Sequence, residues 1–156
     1  MKSNKLERLF LRVLLLVTLG ILTLLLRKPH TKKWLFIYLF NAITNGIIDK
    51  IIGSYNIVVY PTRLLPKLFK IHVLFDFLIY PTISVLYFQV TYKDKAFTVL
   101  YKWFYFVLPM LAIELWAEKK THLIKWKKGW KWYHTLISIS LKTLTERFLI
   151  GFIMKK

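Results

Sequence analysis

The chain has 156 residues, of which 56% are hydrophobic, and it carries 25 Lys and Arg against 7 Asp and Glu. This composition is too apolar for an ordinary basic domain and too basic for an average globular protein. The charges gather in runs between long apolar stretches, which is typical of a multi-pass membrane protein and argues against a nucleic-acid-binding domain. We therefore expect an all-α fold, an integral membrane bundle of about five transmembrane helices in one domain over residues 1–156.

Five apolar stretches are each long enough to cross the ~30 Å hydrocarbon layer of a bilayer. They cover residues of about 9–26, 34–53, 71–90, 97–117 and 133–154. The first is followed by the basic sequence RKPH rather than by the small residues of a signal-peptide cleavage site, so we expect an uncleaved helix. The connection SYNIVVYPTRLLPKLFK after the second stretch contains two prolines and predicts an irregular or interfacial segment.

The distribution of Lys and Arg between alternate loops predicts the orientation. If the N-terminus is cytoplasmic, fourteen of these residues fall in inside segments and eight in outside segments. Positive residues favour the cytoplasmic side, so we expect the N-terminus inside and the C-terminus outside. The absence of Cys excludes disulfides, thiol catalysis and Cys-ligated metals.

Polar side chains recur at helical spacing inside the apolar stretches. In the third stretch, residues four apart share one helix face, and they are His72, Asp76, Tyr80 and Ser84. Similar stripes on the second, fourth and fifth stretches are Asn41, Asn45 and Asp49; Glu114, Glu118 and His122; and His134, Ser138, Lys142 and Glu146. An ionisable side chain at the bilayer centre costs on the order of 3 kcal/mol, so these faces are expected to point into the bundle.

Successive spans are expected to run antiparallel. The end of the second span, the start of the third, the end of the fourth and the start of the fifth then lie on the same side of the membrane. The expected polar cluster contains Asp49, His72, Asp76, Tyr80, Glu114, Glu118 and His134. Such a cluster could relay protons, receive a cationic substrate or bind a divalent cation. The candidate metal ligands are His72, Asp76, Glu114 and Glu118. Alternatively, the same side chains serve only helix packing, through snorkelling and hydrogen bonds between helices.

Two local features have a structural interpretation. Lys142 and Glu146 are one helical turn apart with Arg147 adjacent, which predicts a structural ion pair. Pro81 has no N–H group, so it deprives the carbonyl of Phe77, one turn earlier, of its hydrogen bond.

The segment before the fifth stretch interleaves basic and aromatic residues. These are Lys125, Trp126, Lys127, Lys128, Trp130, Lys131 and Trp132. On the cytoplasmic side this loop would attract anionic lipids at about 1 kcal/mol per basic residue, with tryptophan at the headgroup level. Simple determination of topology by positive charge is the alternative. We do not expect the loop to bind nucleic acid.

Three segments carry a resemblance to known proteins: IHVLFDFLIYP (71–81), Glu114 within LAIELWAEKKTHLIKWKKGW, and GWKWYH (129–134). From about Phe40 onwards, the chain resembles a family of small, uncharacterised multi-pass membrane proteins from Bacillus- and Clostridium-type bacteria. The resemblance implies a bacterial cytoplasmic membrane location and brings no established activity with it.

The sequence contains no HExxH, GxSxG or P-loop motif. We therefore expect a small integral membrane protein that binds or conducts a cation or proton through the His/Asp/Glu cluster. One alternative is a structural or partner-binding membrane protein that uses the Lys/Trp loop. Another is an intramembrane metal-dependent enzyme acting on lipid. At 156 residues, a transport path could require a homo-oligomer.

Overall fold

The computed structural model describes residues 2–61 and 74–154, and this part of the chain is mostly helical. The helices are α1 (Lys2–Leu26), α2 (Thr31–Ser54), α3 (Tyr80–Thr91), α4 (Ala96–Lys120) and α5 (Trp132–Met154). A π-helical turn (Phe75–Ile79) leads directly into α3. Two short antiparallel strands complete the fold, β1 (Val58–Val59) and β2 (Lys125–Trp126). The predicted all-α class is confirmed.

Among residues 2–61 and 74–154, three helices are long and apolar enough to cross a membrane. They are α1 from Lys5, α2 and α4, with mean hydropathies of 2.6, 1.4 and 1.6. The other two differ in length or charge. Helix α3 has only 12 residues after the π turn, and α5 carries Lys142, Glu146 and Arg147 along its length. His72, at the start of the third predicted stretch, lies outside the described residues.

Several polar side chains are buried beside the apolar core, and many large apolar side chains are exposed. Large apolar side chains such as Phe97 and Phe152 are 81% and 65% exposed, whereas Asn41 and Asp76 are 1% and 5% exposed. In lipid, polar groups must find partners inside the protein while the outer surface stays apolar. Exposed apolar and buried polar side chains are both features that a hydrocarbon environment favours.

Helix α2 packs against the π turn and α3. Helix α3 also contacts α1 and α4, and α4 packs against α5. Strand β1 pairs with β2 in the register Val58 to Trp126 and Val59 to Lys125, and the Lys127 N–H donates to the carbonyl of Ile57 at 2.8 Å. This pairing brings the connection after α2 onto the segment that follows α4. Both connections thereby reach the same end of the bundle.

Side chains of α2 donate hydrogen bonds to backbone carbonyls of the π turn. The Tyr80 N–H donates to the carbonyl of Phe75, five residues earlier, and Pro81 has no N–H to continue the pattern. The sequence predicts a free carbonyl at Phe77, and the hydroxyl of Tyr38 donates to it. The amide of Asn45 donates to the neighbouring carbonyl of Asp76 at 3.2 Å. Two side chains thus replace bonds that the helix lacks at Pro81, which fixes Asp76 against α2.

Candidate functional site

A cavity of about 220 Å³ lies between α2, the π turn, α3, α4 and α5, at the end of the bundle where β1 and β2 pair. Its ionisable lining residues are Asp49, Tyr60, Asp76, Tyr80, Glu114 and Lys142. The sequence predicted that Asp49, Asp76, Tyr80 and Glu114 lie together, and the structure places all four on this cavity. Their helices bring them there because each polar stripe faces the inside of the bundle.

Asp49 and Asp76 form the centre of the site. Their carboxyl groups lie close enough to interact directly, and both residues are buried. The hydroxyl of Tyr60 donates to Asp49 Oδ1 at 2.6 Å. Within the described part of the chain, Asp49 Oδ2 and Asp76 Oδ2 are buried and receive no hydrogen bond from a donor group. Because ionised carboxylates have only acceptor atoms, this contact requires either a proton between them or a cation beside them.

Tyr60 lies in the connection after α2 and is the partner that the sequence did not predict. Burial, together with the nearby carboxyls of Asp49 and Asp76, raises the pKa of its hydroxyl well above the ordinary value. The hydroxyl therefore stays protonated and acts as a donor to Asp49. It reaches this position because the pairing of β1 with β2 folds the connection over the cavity.

Glu114 is held by donors from the segment that follows α4. Its Oε1 accepts hydrogen bonds from Trp126 Nε1 at 3.2 Å and from Thr135 Oγ1 at 3.1 Å. The Thr135 hydroxyl in turn accepts a bond from Trp130 Nε1 at 2.8 Å. Hydrogen bonds to a carboxylate are stronger than neutral ones and favour a fixed side-chain position. Glu114 therefore has a defined orientation at the cavity wall.

Lys142 is the only Lys, Arg or His among the described lining residues, and it already has a counter-ion. Its Nζ is 3.0 Å from Glu146 Oε1, one helical turn away. Glu146 also accepts hydrogen bonds from Thr44 Oγ1 at 2.8 Å and from the amide of Asn41. The ion pair that the sequence predicts between Lys142 and Glu146 is present, with Glu146 buried and Lys142 half-buried, and the hydrogen bonds of Glu146 tie α5 to α2.

Arg147 does not join this ion pair, contrary to the prediction. Its Nε donates to Thr91 Oγ1 at 2.9 Å and its Nη2 donates to the carbonyl of Thr91 at 2.7 Å. The guanidinium lies 5.4 Å from the ring centroid of Phe88. Consecutive residues project about 100° apart around a helix, so Arg147 faces α3 while Glu146 faces α2. It satisfies a carbonyl at the C-terminal end of α3.

Two other predicted members lie away from the cavity lining. His134 is in the first turn of α5, where its Nδ1 accepts a hydrogen bond from the Lys131 N–H at 3.0 Å and its ring packs on Trp130. Glu118 is half-buried in the last turn of α4, where its carbonyl accepts a bond from Lys125 Nζ at 2.6 Å. Helical spacing placed both at the right depth, but each is used locally at a helix end.

The metal hypothesis lacks a ligand group in residues 2–61 and 74–154. No set of three or more His, Asp or Glu side chains in these ranges is arranged to hold a metal ion. Asp76 and Glu114 lie on the same cavity, whereas Glu118 does not line it. The fourth candidate ligand, His72, is outside the described residues.

The Lys/Trp loop is divided between the interior and the surface. Its exposed residues are Lys127, Lys128, Lys131 and Trp132. Lys125, Trp126 and Trp130 are half-buried, and both indole N–H groups donate to acceptors at the site. Trp126 and Trp130 therefore act as donors within the bundle, because β pairing turns this segment inward, and anchoring of the loop in lipid stays a prediction.

Comparisons with known proteins add no identification at this point. No protein-family model, no curated protein and no solved structure matches this chain.

Proposed function

We propose that this chain is a five-helix membrane protein that binds a cation at the buried carboxyls of Asp49 and Asp76 and the half-buried carboxyl of Glu114, with a proton as the competing occupant. The observation that carries the proposal is the charge balance of the cavity. Three carboxyls from α2, the π turn and α4 line it, while the one basic lining residue in the described chain, Lys142, is paired with Glu146. Buried charges are stable only when paired, so the three carboxyls call for positive charge.

The number of membrane-spanning helices is part of the proposal. Helix α5 is too charged to count as an apolar span, but its Lys142 and Glu146 pair inside the bundle. Its outward face carries Ile137, Leu141 and Phe152, which are 54%, 64% and 65% exposed. Internal pairing of charges and an apolar outer face are the conditions under which a polar helix crosses lipid. Helix α3 with its π turn completes the set of five.

The proposed membrane is a bacterial cytoplasmic membrane, with the N-terminus inside and the C-terminus outside, as the Lys and Arg distribution favours. The cavity then opens towards the cytoplasmic end of the bundle. On that side, exposed Lys127, Lys128 and Lys131 would attract anionic lipids, and exposed Trp132 would lie at the headgroups.

Thermal unfolding of the full chain in detergent tests cation binding. A ligand that binds only the folded state raises Tm by mass action. We expect methylammonium or Na⁺, at ionic strength matched with tetramethylammonium, to raise Tm in the wild type. We expect the shift to disappear in Asp76→Asn and in Glu114→Gln. Zn²⁺ and Mg²⁺ serve as probes for the metal alternative.

The matched control is Asp94→Asn, which makes the same chemical change outside the cavity. Asp94 is paired with Lys102 at 2.6 Å and does not line the site. Its variant is expected to keep the full cation shift. A shift that persists in Asp76→Asn and Glu114→Gln would place the cation elsewhere and refute the proposal, as would the absence of a shift with every cation in the wild type.

A further inference from the structure

We infer that the cation bound at this site is organic, a primary ammonium group attached to an apolar body about the size of an aromatic ring. The inference rests on the proposed cation-binding function and names the class of ligand. It is carried by the volume of the cavity, the side chains that line it and the two orphaned carboxyl oxygens.

The cavity is much larger than a bare ion needs. A buried water molecule requires on the order of 10–15 Å³ of such space, and an apolar cavity of about 150 Å³ holds a benzene molecule. The cavity here measures about 220 Å³. An inorganic ion at the carboxyls would leave most of that volume unfilled, whereas a ring bearing an ammonium group matches it.

Apolar side chains form part of the wall beside the carboxyls, together with the polar residues Asn45, Ser84, Ser138, Lys142 and Thr143. One turn from the polar residues Tyr80, Glu114 and Thr135, the wall continues with Ile83 on α3, Met110 on α4 and Ile139 on α5. All six side chains line the same cavity. A ligand that fills it therefore places its charge at the carboxyls and its apolar part against Ile83, Met110 and Ile139.

The charged end of the ligand must supply hydrogen-bond donors. Asp49 Oδ2 and Asp76 Oδ2 are buried without a donor in the described chain, and both residues are more than nine-tenths buried on this cavity. A primary ammonium has three N–H donors, so one group can satisfy both oxygens while neutralising their charge. A quaternary ammonium lacks these donors. Tyr60 and Trp130 also line the cavity and offer aromatic faces to a cation.

The cavity reaches the outer surface of the bundle through apolar residues. Ile48 on α2 and Ile113 on α4 both line it and are also 41% and 56% exposed. In the proposed membrane orientation this surface faces lipid. A cation with an apolar body partitions into lipid and can enter there, whereas a hydrated inorganic ion pays a large desolvation cost on the same route.

Calorimetric titration of the purified full chain in detergent tests the inference with three probes. Benzylammonium has both the charge and the ring, methylammonium has only the charge, and benzyl alcohol has only the ring. We expect benzylammonium to bind at least about tenfold more tightly than either of the others. We expect this binding to weaken at least about tenfold in Asp76→Asn, because a charge-assisted hydrogen bond is lost, and to be unchanged in Asp94→Asn.

The outcomes separate the inference from the proposed function. Carboxyl-dependent methylammonium binding that is as tight as benzylammonium binding would leave the cation site standing and overturn the organic ligand. Equal binding of benzyl alcohol and benzylammonium, unaffected by Asp76→Asn, would reduce the site to an apolar pocket and overturn both. Absence of binding by either ammonium probe would also overturn both.

A cavity-filling pair on α5 provides a second test. Ile139 lines the cavity, whereas Ile137, two residues earlier, is 54% exposed on the outer face. Ile139→Trp is expected to abolish benzylammonium binding while methylammonium still binds, and Ile137→Trp is expected to change neither. Ile83→Phe on α3 makes the same test if Ile139→Trp does not fold. Unchanged benzylammonium affinity in a folded cavity-filled variant would overturn the inference.

Discussion

Asp49 and Asp76 hold their carboxyl groups close enough to interact directly, one from the last turns of α2 and the other from the π turn before α3. The position of Asp76 is fixed through its backbone, because the side-chain amide of Asn45 donates to the carbonyl of Asp76 at 3.2 Å. Two acceptor groups placed together by such a rigid arrangement are unfavourable unless positive charge joins them. This relationship is the physical basis of the proposed cation site.

Replacing one member of the carboxyl pair is expected to leave the empty protein at least as stable as the wild type. In Asp76→Asn, the amide can donate to Asp49 Oδ2 and the like-charge contact is lost. Asp94→Asn instead breaks a partly exposed ion pair with Lys102 and should cost up to about 1 kcal/mol. The measurement is thermal unfolding of both variants in detergent without added cation. A lower Tm for Asp76→Asn than for Asp94→Asn would contradict the carboxyl contact.

Removing the charge of Lys142 is expected to destabilise the bundle strongly. In Lys142→Met, Glu146 is left buried without its counter-ion at 3.0 Å, a change that typically costs about 3–5 kcal/mol. Adding Glu146→Gln should recover most of this loss, because the uncompensated charge disappears, Asn41 can still donate to the amide oxygen and the Thr44 hydroxyl can accept from the amide N–H. Unfolding of the single and double variants gives the comparison. A double variant no more stable than Lys142→Met would argue against a buried ion pair.

The hydroxyl of Tyr38 is expected to contribute to the free energy of unfolding only while residue 81 is proline. Tyr38→Phe leaves the carbonyl of Phe77 without its donor and should cost about 1 kcal/mol. In a Pro81→Ala background, the restored N–H group can satisfy that carbonyl, so the same substitution should cost much less. A double-mutant cycle on unfolding free energy measures this coupling. Equal costs in the two backgrounds would refute the compensation between α2 and the π turn.

The natural absence of cysteine allows a clean test of orientation. Lys93 lies between α3 and α4, Lys127 lies between α4 and α5, and both are exposed. In intact cells, an impermeant maleimide should label Lys93→Cys but reach Lys127→Cys only after permeabilisation. Each variant removes one basic residue, so the difference between inside and outside charge changes by only one. The reverse labelling pattern would invert the proposed topology.

The parts of the fold and site that depend on helical periodicity could be predicted from the sequence. Asn41, Asn45 and Asp49 recur every four residues, which identifies the inward face of α2. The same spacing identifies the approach of Asp76 and Tyr80 to the interior. Antiparallel order then brings Asp49, Asp76 and Glu114 to one end of the bundle, where they line the cavity.

Contacts between distant segments could not be predicted in this way. The donor Tyr60 reaches Asp49 through the pairing of two-residue strands, and strands this short have no detectable period. Trp126 turns inward for the same reason. His134 falls on a helical stripe, but it lies in the first turn of α5, where a free N–H group uses its ring as an acceptor. Helical spacing predicts the level of a residue along the bundle, but it does not predict the residue's hydrogen-bond partner.

Infrared difference spectroscopy tests cation binding most directly, because it observes the carboxyl groups themselves. The full chain in lipid vesicles is exposed alternately to methylammonium and to tetramethylammonium at equal ionic strength. We predict a change in the carboxyl stretching bands on binding of methylammonium that is present in the wild type and in Asp94→Asn and absent in Asp76→Asn. A carboxyl difference spectrum that is unchanged by Asp76→Asn, or no difference spectrum in the wild type, would contradict the assignment of Asp49, Asp76 and Glu114 as the cation site.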